Sequence, residues 1–188
     1  DSIDTNFSRG DDKFVLIDTA GLRKKRKVSS APERHAVFSA IRALQRAHVA
    51  VLMIDAINGA AEQDAKIAGL AIDRGCALVV ATNKWDLIKG NEASKKAYEK
   101  AKEVLSFAPF APFVRVSAKT GRGINRLLDE VLSVAEEHNK RIPTGELNRF
   151  FEDLVFHKPP PMKSGRPVKF YYASQVAVRP PKIVVSCN

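Results

Sequence analysis

Apolar residues in this chain of 188 follow two rhythms. Short unbroken runs alternate with longer stretches in which apolar residues recur every three or four positions. Residues 76–82, CALVVAT, form an unbroken run of the kind that reads as a strand buried on both faces. Residues 49–54, ending in Asp55, read the same way, and residues 112–116 predict a short strand running into Ser117. Between these runs, residues 62–74 predict a helix closed by Gly75. A Lys-rich helix is expected from about Glu92 to Ser106, with Ala97, Ala101, Val104 and Leu105 facing inward. Ile124, Leu127, Leu128, Val131, Leu132 and Ala135 give the clearest helical stripe of all. Upstream, Ser30, Pro32 and Glu33 match a capping box with Pro in the first turn, opening a helix with Val37, Ala40, Ile41 and Leu44 on one face. At the start, residues 4–8 and 13–17 flank Arg9, Gly10, Asp11 and Asp12 and predict a hairpin. Strands alternating with helices of this length imply right-handed crossovers and an α/β fold with a mostly parallel sheet.

Around Arg141 the rhythm changes. A helix follows, with Leu147, Phe150, Phe151, Leu154 and Val155 on one face, then a stiff proline-rich loop over residues 158–165. Val168, Phe170 and Tyr172 alternate as in a strand. A second β run is expected over residues 175–179 and a third over 182–186, divided by Pro180 and Pro181. Helix, strand, strand is an α+β order, so the expected domains are residues 1–140 and 141–188. No internal repeat is visible.

Charge and composition narrow the setting. Hydrophobic residues make up 45% of the chain, which argues for globular structure. The net charge is +10, and residues 141–188 hold 8 Lys and Arg against 3 Asp and Glu. This share is far denser than that of the first 140 residues, and it favours a polyanionic partner such as nucleic acid over a merely soluble basic surface. No run approaches the roughly 20 apolar residues of a membrane-spanning helix, so no membrane partner is expected. The first residues show neither a basic start nor an apolar core of a signal peptide. Cys76 and Cys187 form neither a disulfide framework nor a metal-binding spacing, which fits a reducing cytoplasm.

The strongest chemical signal follows the run at 76–82. Asn83, Lys84, Trp85 and Asp86 stand at the C-terminal end of a buried strand, where open α/β sheets bind ligands. Asp86, ionised and acceptor-only, suits the N1–H and exocyclic N2–H of guanine as a bidentate pair. Adenine offers neither donor on that edge. Losing two hydrogen bonds to a charged group, at roughly 1.5–3 kcal/mol each, separates the bases by about two powers of ten or more. Asn83 would hold the loop or the N7 edge, and the stem of Lys84 would lie along the ring face. The plainer reading is a polar turn after a strand. The second signal is Asp18, Thr19, Ala20 and Gly21 after residues 13–17. An Asp at a strand end can hold Mg²⁺ through water, and a Gly beyond it admits a phosphate close to a backbone N–H; taken alone, an ordinary turn is the equal alternative. Five consecutive basic residues, Arg23 to Lys27, follow Leu22. They read as a solvated block whose order depends on a ligand, with a permanent anchor on nucleic-acid backbone as the competing view.

Three motifs in order, Asp18 to Gly21, Asn83 to Asp86, and Ser117, Ala118 and Lys119, make the first 140 residues resemble a GTPase G domain. More narrowly, the whole chain resembles the C-terminal part of the EngA (Der) family, bacterial GTPases with tandem G domains and a KH-like domain. The supporting residues are Asp18 to Lys25, Trp85, Pro143 to Asn148, Pro159 to Lys163, Tyr171 to Gln175 and Val178 to Pro181. The resemblance implies a P-loop GTPase-type α/β fold with helices on both faces of the sheet, then a small KH-like domain over 141–188 that stops short of its full length. It implies GTP or GDP and Mg²⁺ as ligands, with Asp18 serving the metal, Gly21 the γ-phosphate, and backbone N–H groups of Ser117, Ala118 and Lys119 the guanine O6. Thr19, Ala20 and Leu22 complete that nucleotide loop, and Trp85 the base loop. It further implies GTP hydrolysis and a part in assembling the large ribosomal subunit, through rRNA contacts of the basic surface. Two departures matter. No Gly-x-x-x-x-Gly-Lys-Ser/Thr occurs in these residues, so the phosphate cradle and its strand, central to such a sheet, are not among them. Leu22 follows Gly21 where many GTPases carry a water-positioning Gln, so no side chain is assigned as catalytic base. The alternative function is therefore a non-catalytic module that binds rRNA or protein and hydrolyses nothing itself. In the last domain Phe150, Phe151, Tyr171 and Tyr172 are candidates to stack on RNA bases, although helical spacing places the two Phe in the core. Residues 141–188 hold no Gly-x-x-Gly loop. Backbone contact by Lys158, Lys163, Arg166, Lys169, Arg179 and Lys182 is expected rather than sequence readout.

Overall fold

A computed structural model describes residues 4–17, 41–162, 165 and 167–188. The chain divides into two compact units, Asp1–Ala135 and Glu136–Asn188.

In the first unit, β1 (Asp4–Arg9) and β2 (Asp12–Ile17) form the expected hairpin, with Arg9 opposite Asp12. Gly10 turns it at φ 59°, a conformation that suits a residue without Cβ. Phe7 and Phe14 stack across the pair at 4.8 Å. Arg9 reaches from the hairpin to the Asp129 carboxylate at 2.7 Å. The main sheet is separate and wholly parallel. It comprises β3 (Val49–Asp55), β4 (Ala77–Asn83) and β5 (Phe113–Arg115), with β4 in the middle. The helices between and after these strands are α1 (Glu62–Asp73), α2 (Asn91–Val104) and α3 (Ile124–His138). Residues 41–46 are also helical, with Ala43 and Leu44 buried.

The unbroken apolar run of β4 has a simple cause. Leu78 and Val80 face one layer, packed with Leu52 and Ile54 of β3, Ala68 of α1, and Ala101 and Leu105 at the end of α2. Val79 and Ala81 face the other layer, with Val114, Val116 and Leu127. Ile124, Val131 and Val134 of α3 close that second side. Both faces of β4 are dry, and its one fully buried polar side chain, Thr82, is satisfied by donating its hydroxyl to Val114 O at 3.1 Å. Each fully buried Leu or Val contributes about 1.5–3 kcal/mol relative to exposure. This is the predicted α/β architecture with helices on both faces. The hairpin and the parallel sheet stand as two sheets, and Val15, Leu16, Val51 and Met53 on their strands are exposed.

The second unit contains α4 (Thr144–His157), β6 (Phe170–Ala177) and β7 (Lys182–Cys187), the two strands antiparallel. Three expectations are corrected here. Phe150, assigned to the core by helical spacing, is 60% exposed, while Leu147 of the same helix is buried and Phe151 stacks on Phe170 at 5.2 Å. One two-stranded ribbon covers only part of the helix face, so the apolar stripe is wider than its cover. The alternation Val168, Phe170, Tyr172 is interrupted within β6. The register shifts between Phe170 and Tyr172, and beyond that irregularity Ala173 and Gln175 are the buried residues while Tyr172 is exposed. A bulge adds a residue on one strand and so exchanges the two faces downstream. The separate β run expected at 175–179 is the end of β6 itself, and only the turn at 178–181 divides it from β7.

Side-chain bonds hold this unit where apolar area is scarce. Asn148 of α4 accepts the Ala173 N–H at 2.8 Å and donates to the Ala173 carbonyl at 2.9 Å, a two-way tie between helix and strand. Buried Gln175 accepts the Ile142 N–H at 2.7 Å and donates to the Lys140 carbonyl at 3.2 Å. The segment before α4 is thereby fastened to β6.

Candidate guanine-nucleotide site

Parallel register puts the ends of three strands side by side. Asp55 of β3 pairs with Asn83 of β4, and Thr82 with Arg115 of β5. Past these positions the chain leaves each strand into a loop at the same edge of the sheet, and the polar residues gather there.

Asn83 organises two of those loops. Its side-chain oxygen accepts the Lys84 N–H at 2.8 Å and the Ala118 N–H at 2.9 Å. One amide group therefore joins the loop after β4 to the loop after β5. Backbone bonds support it: Trp85 N–H donates to Val116 O at 3.1 Å, and Val116 N–H to Thr82 O at 2.9 Å. Lys84 has φ 63°, the one left-handed non-glycine residue among those described. That conformation turns the chain sharply into the short 3₁₀ segment Trp85–Leu87. A left-handed residue with a Cβ costs roughly 1–2 kcal/mol, so the surrounding bonds must hold it. Asp86 then stands exposed, with no hydrogen-bond or ion-pair partner among the described residues. Trp85 is half-buried and lies under the Arg115 guanidinium, 4.7 Å from its ring centroid. Arg115 also stands 5.7 Å from the Tyr98 ring of α2, so the cation braces the loop from beside the sheet.

The loop after β5 is a tight turn. Ser117 is buried; its N–H donates to Arg122 O at 2.9 Å and its hydroxyl accepts the Thr120 N–H at 3.3 Å. Ala118 and Lys119 are exposed. Because the Ala118 N–H already donates to Asn83, the Lys119 N–H is the more accessible donor of the three.

Lys84 holds a partner that the sequence did not reveal. Its Nζ lies 2.7 Å from Oδ2 of Asp55, which is 8% exposed. Asp55 also accepts the Ile57 N–H at 2.9 Å and the Asn58 side-chain amide at 3.0 Å. The Lys84 ammonium is the main cause that holds the Asp55 carboxyl below its ordinary value; burial opposes it, and the turn N–H groups assist. An acidic residue closing a strand was visible in the sequence, but nothing there tied it to a lysine 29 positions on.

The residues Asp18, Thr19, Ala20, Gly21 and Leu22, and the basic block Arg23 to Lys27, lie outside the described residues. Among the described residues no group of three or more His, Cys, Asp or Glu side chains could hold a metal ion.

Comparison with known proteins bears on the family and the fold. The sequence family described as the elongation factor Tu GTP-binding domain matches residues 33–137. The KH-domain-like C-terminal family of EngA bacterial GTPase enzymes matches residues 141–188. A GTPase Der of Thermoanaerobacter sp. (strain X514) is 46% identical across 100% of this chain, which covers 43% of that relative. A GTPase Der of Syntrophotalea carbinolica is 44% identical with the same coverage. The chain thus spans less than half the length of these curated relatives. Among solved structures, Era in complex with MgGDPNP and nucleotides 1506–1542 of 16S ribosomal RNA matches with a TM-score of 0.61 and 20% identity. That match covers 99% of this chain and 65% of Era. Elongation factor SelB from Methanococcus maripaludis, solved with the GTP analogue GppNHp, matches with a TM-score of 0.58 and 18% identity over 77% of this chain and 29% of SelB. At such identities the two structures speak for the fold.

Proposed function

This chain belongs to the EngA (Der) family of GTPases, as its C-terminal part, and on that premise we propose that it reads the base of a guanine nucleotide with Asp86. The observation that supports this most is the exposed carboxylate of Asp86, without a partner among the described residues, on a loop whose backbone Asn83 fastens to Ala118. A rigid acceptor pair at the end of β4 meets the N1–H and N2–H of guanine without reorganising, which is where its selectivity over adenine arises. The Lys119 N–H donates to guanine O6. Asn83 spends its oxygen on the loop and keeps its amide N–H₂, 3.7 Å from the Met53 sulfur, for the N7 edge. The stem of Lys84 lies against the ring.

In the whole protein the remaining parts of the reaction fall to Asp18, for Mg²⁺ through water, and to Gly21, for the γ-phosphate. Thr19, Ala20 and Leu22 shape that loop. The whole protein hydrolyses GTP in the cytoplasm and acts in assembly of the large ribosomal subunit. Its rRNA contacts come from the basic second unit, where Lys158, Lys169, Arg179 and Lys182 are all exposed. The likeness to Era, whose structure contains 16S rRNA, favours RNA as that partner. Exposed Tyr171 and Tyr172 supply stacking faces on β6.

The decisive experiment exchanges the base. Asp86→Asn replaces two acceptors by an acceptor and a donor, which complements xanthine. GDP affinity should fall by about a hundredfold and XDP should become the preferred ligand. Unchanged preference for GDP would remove the assignment. Calorimetry of residues 1–188 with GDP separates the enzymatic reading from the alternative of a binding module. Phosphate contacts supply much of the affinity in such sites, so base contacts alone predict a Kd far weaker than micromolar.

A further inference from the structure

We propose that Asp55 is a positioning residue for the guanine site, acting through Lys84. The inference rests on the guanine reading above and extends it to a residue on a different strand. Asp55 is built for a fixed task. It is buried at the end of β3, opposite Asn83 in register, and its carboxylate is committed on both oxygens: Oδ1 to the Ile57 N–H, Oδ2 to the Asn58 amide and the Lys84 ammonium.

Lys84 needs such an anchor. It is exposed and has the strained left-handed backbone that aims Asp86. A lysine side chain has four rotatable bonds, and freezing it costs up to about 2 kcal/mol of rotamer entropy. An ion pair between exposed groups contributes little against that cost, whereas one to a preorganised, nearly buried carboxylate contributes more. With its ammonium held at the end of β3, the stem of Lys84 spans from that anchor to the base loop. The purine then meets a ready-made apolar floor, and Asp86 meets its edge from a fixed backbone. The depressed titration of the Asp55 carboxyl is the electrostatic signature of the same contact.

The test is a double-mutant cycle on GDP binding, followed by NMR of the backbone amides of Trp85 and Lys119 in millimolar GDP. Asp55→Asn keeps the shape and the acceptor for Ile57 but removes the charge. Lys84→Met keeps an apolar stem, leaves the Asp55 turn untouched, and remains informative if Asp55→Asn does not fold. Each single variant should weaken GDP about tenfold, and the double variant should be no weaker than either single one. If Asp55→Asn costs the same factor in the Lys84→Met background, Asp55 merely stabilises its own turn and the proposal is overturned. An unchanged GDP affinity in Lys84→Met overturns it as well. Asp86→Asn, tested alongside with GDP and XDP, isolates the premise. Loss of the base switch, or no GDP-induced shift at all, overturns the guanine reading and this inference with it. An intact switch without coupling between positions 55 and 84 overturns this inference alone.

Discussion

Replacing Gly123 by alanine should destabilise the first unit by roughly 3–4 kcal/mol, whereas the same change at Gly121, two residues away, should cost only about 1–2 kcal/mol. Both glycines have left-handed backbones, φ 81° and 75°. The left-handed penalty for a residue with a Cβ is therefore common to both. Their surroundings differ. A Cβ on Gly121 meets nothing within 4 Å, but one on Gly123 falls 2.1 Å from the Arg115 carbonyl oxygen. Carbon and oxygen normally approach no closer than about 3.3 Å, so relief requires a backbone movement of roughly 1 Å. The carbonyl belongs to β5 and the glycine to the entry of α3. Parting them strains the Ser117 N–H to Arg122 O bond and the Leu127 N–H to Gly123 O bond, each 2.9 Å. Losing both adds about 2 kcal/mol to the shared penalty. The assay is urea unfolding followed by Trp85, the only tryptophan of the chain and a reporter inside the first unit. With a slope of about 2 kcal/mol/M, the midpoint should fall by roughly 1.5–2 M for Gly123→Ala and by under about 1 M for Gly121→Ala. Equal midpoints for the two variants would refute the reasoning, since the close approach to β5 would then carry no energy.

Two further outcomes follow from the same geometry. Burial pushes the Cys76 thiol up, and its Sγ donates to Leu44 O at 3.0 Å, while Cys187 is exposed on β7. A thiol reagent should label Cys187 at once and Cys76 only on unfolding, read as one fast and one slow equivalent by mass spectrometry. The second outcome concerns acid. The Asp55 carboxyl is held below 3.8, so the unfolded chain takes up its proton first as pH falls. Its contribution to stability is complete above that value and is lost below it, toward the folded pKa. Asp55→Asn should therefore flatten the acid limb of a Trp85-monitored stability curve below 3.8, and an unaltered limb would count against the ion pair with Lys84.

What the sequence disclosed and what it withheld have separate physical causes. The strands around Val51, Val79 and Val114 and the helices between them were legible because burial on one or both faces imposes a period, and a period survives in one dimension. The hairpin turn at Gly10 was legible because a positive φ selects glycine. Phe150 was misread because a stripe states which face of a helix is apolar, not how much of that face a neighbour covers. In the second unit the cover is a two-stranded ribbon, and Phe150 extends beyond it. The break in the alternation through Tyr172 was not legible because an irregularity in β6 changes the parity of the residues after it, and no local composition marks the shift.

Asp55 is the instructive omission at the site. Asn83, Trp85 and Asp86 announce themselves by spacing along a single loop, and Ser117 to Lys119 by following a strand. Asp55 is joined to them only by the register of two parallel strands, Asp55 opposite Asn83, which are separated in sequence by a helix. A parallel sheet gathers strand ends that are distant in the chain, so its ligand edge always contains contacts that no motif can spell. The identity of the residue still carried a trace. A carboxylate that closes an apolar strand and becomes 8% exposed must find a cation or several N–H donors. The turn at Ile57 and Asn58 supplies donors, and the cation comes from an adjoining strand end. Lys84 is the residue that β4 delivers there, and its left-handed backbone turns the chain into the segment Trp85–Leu87 while its side chain reaches back to β3.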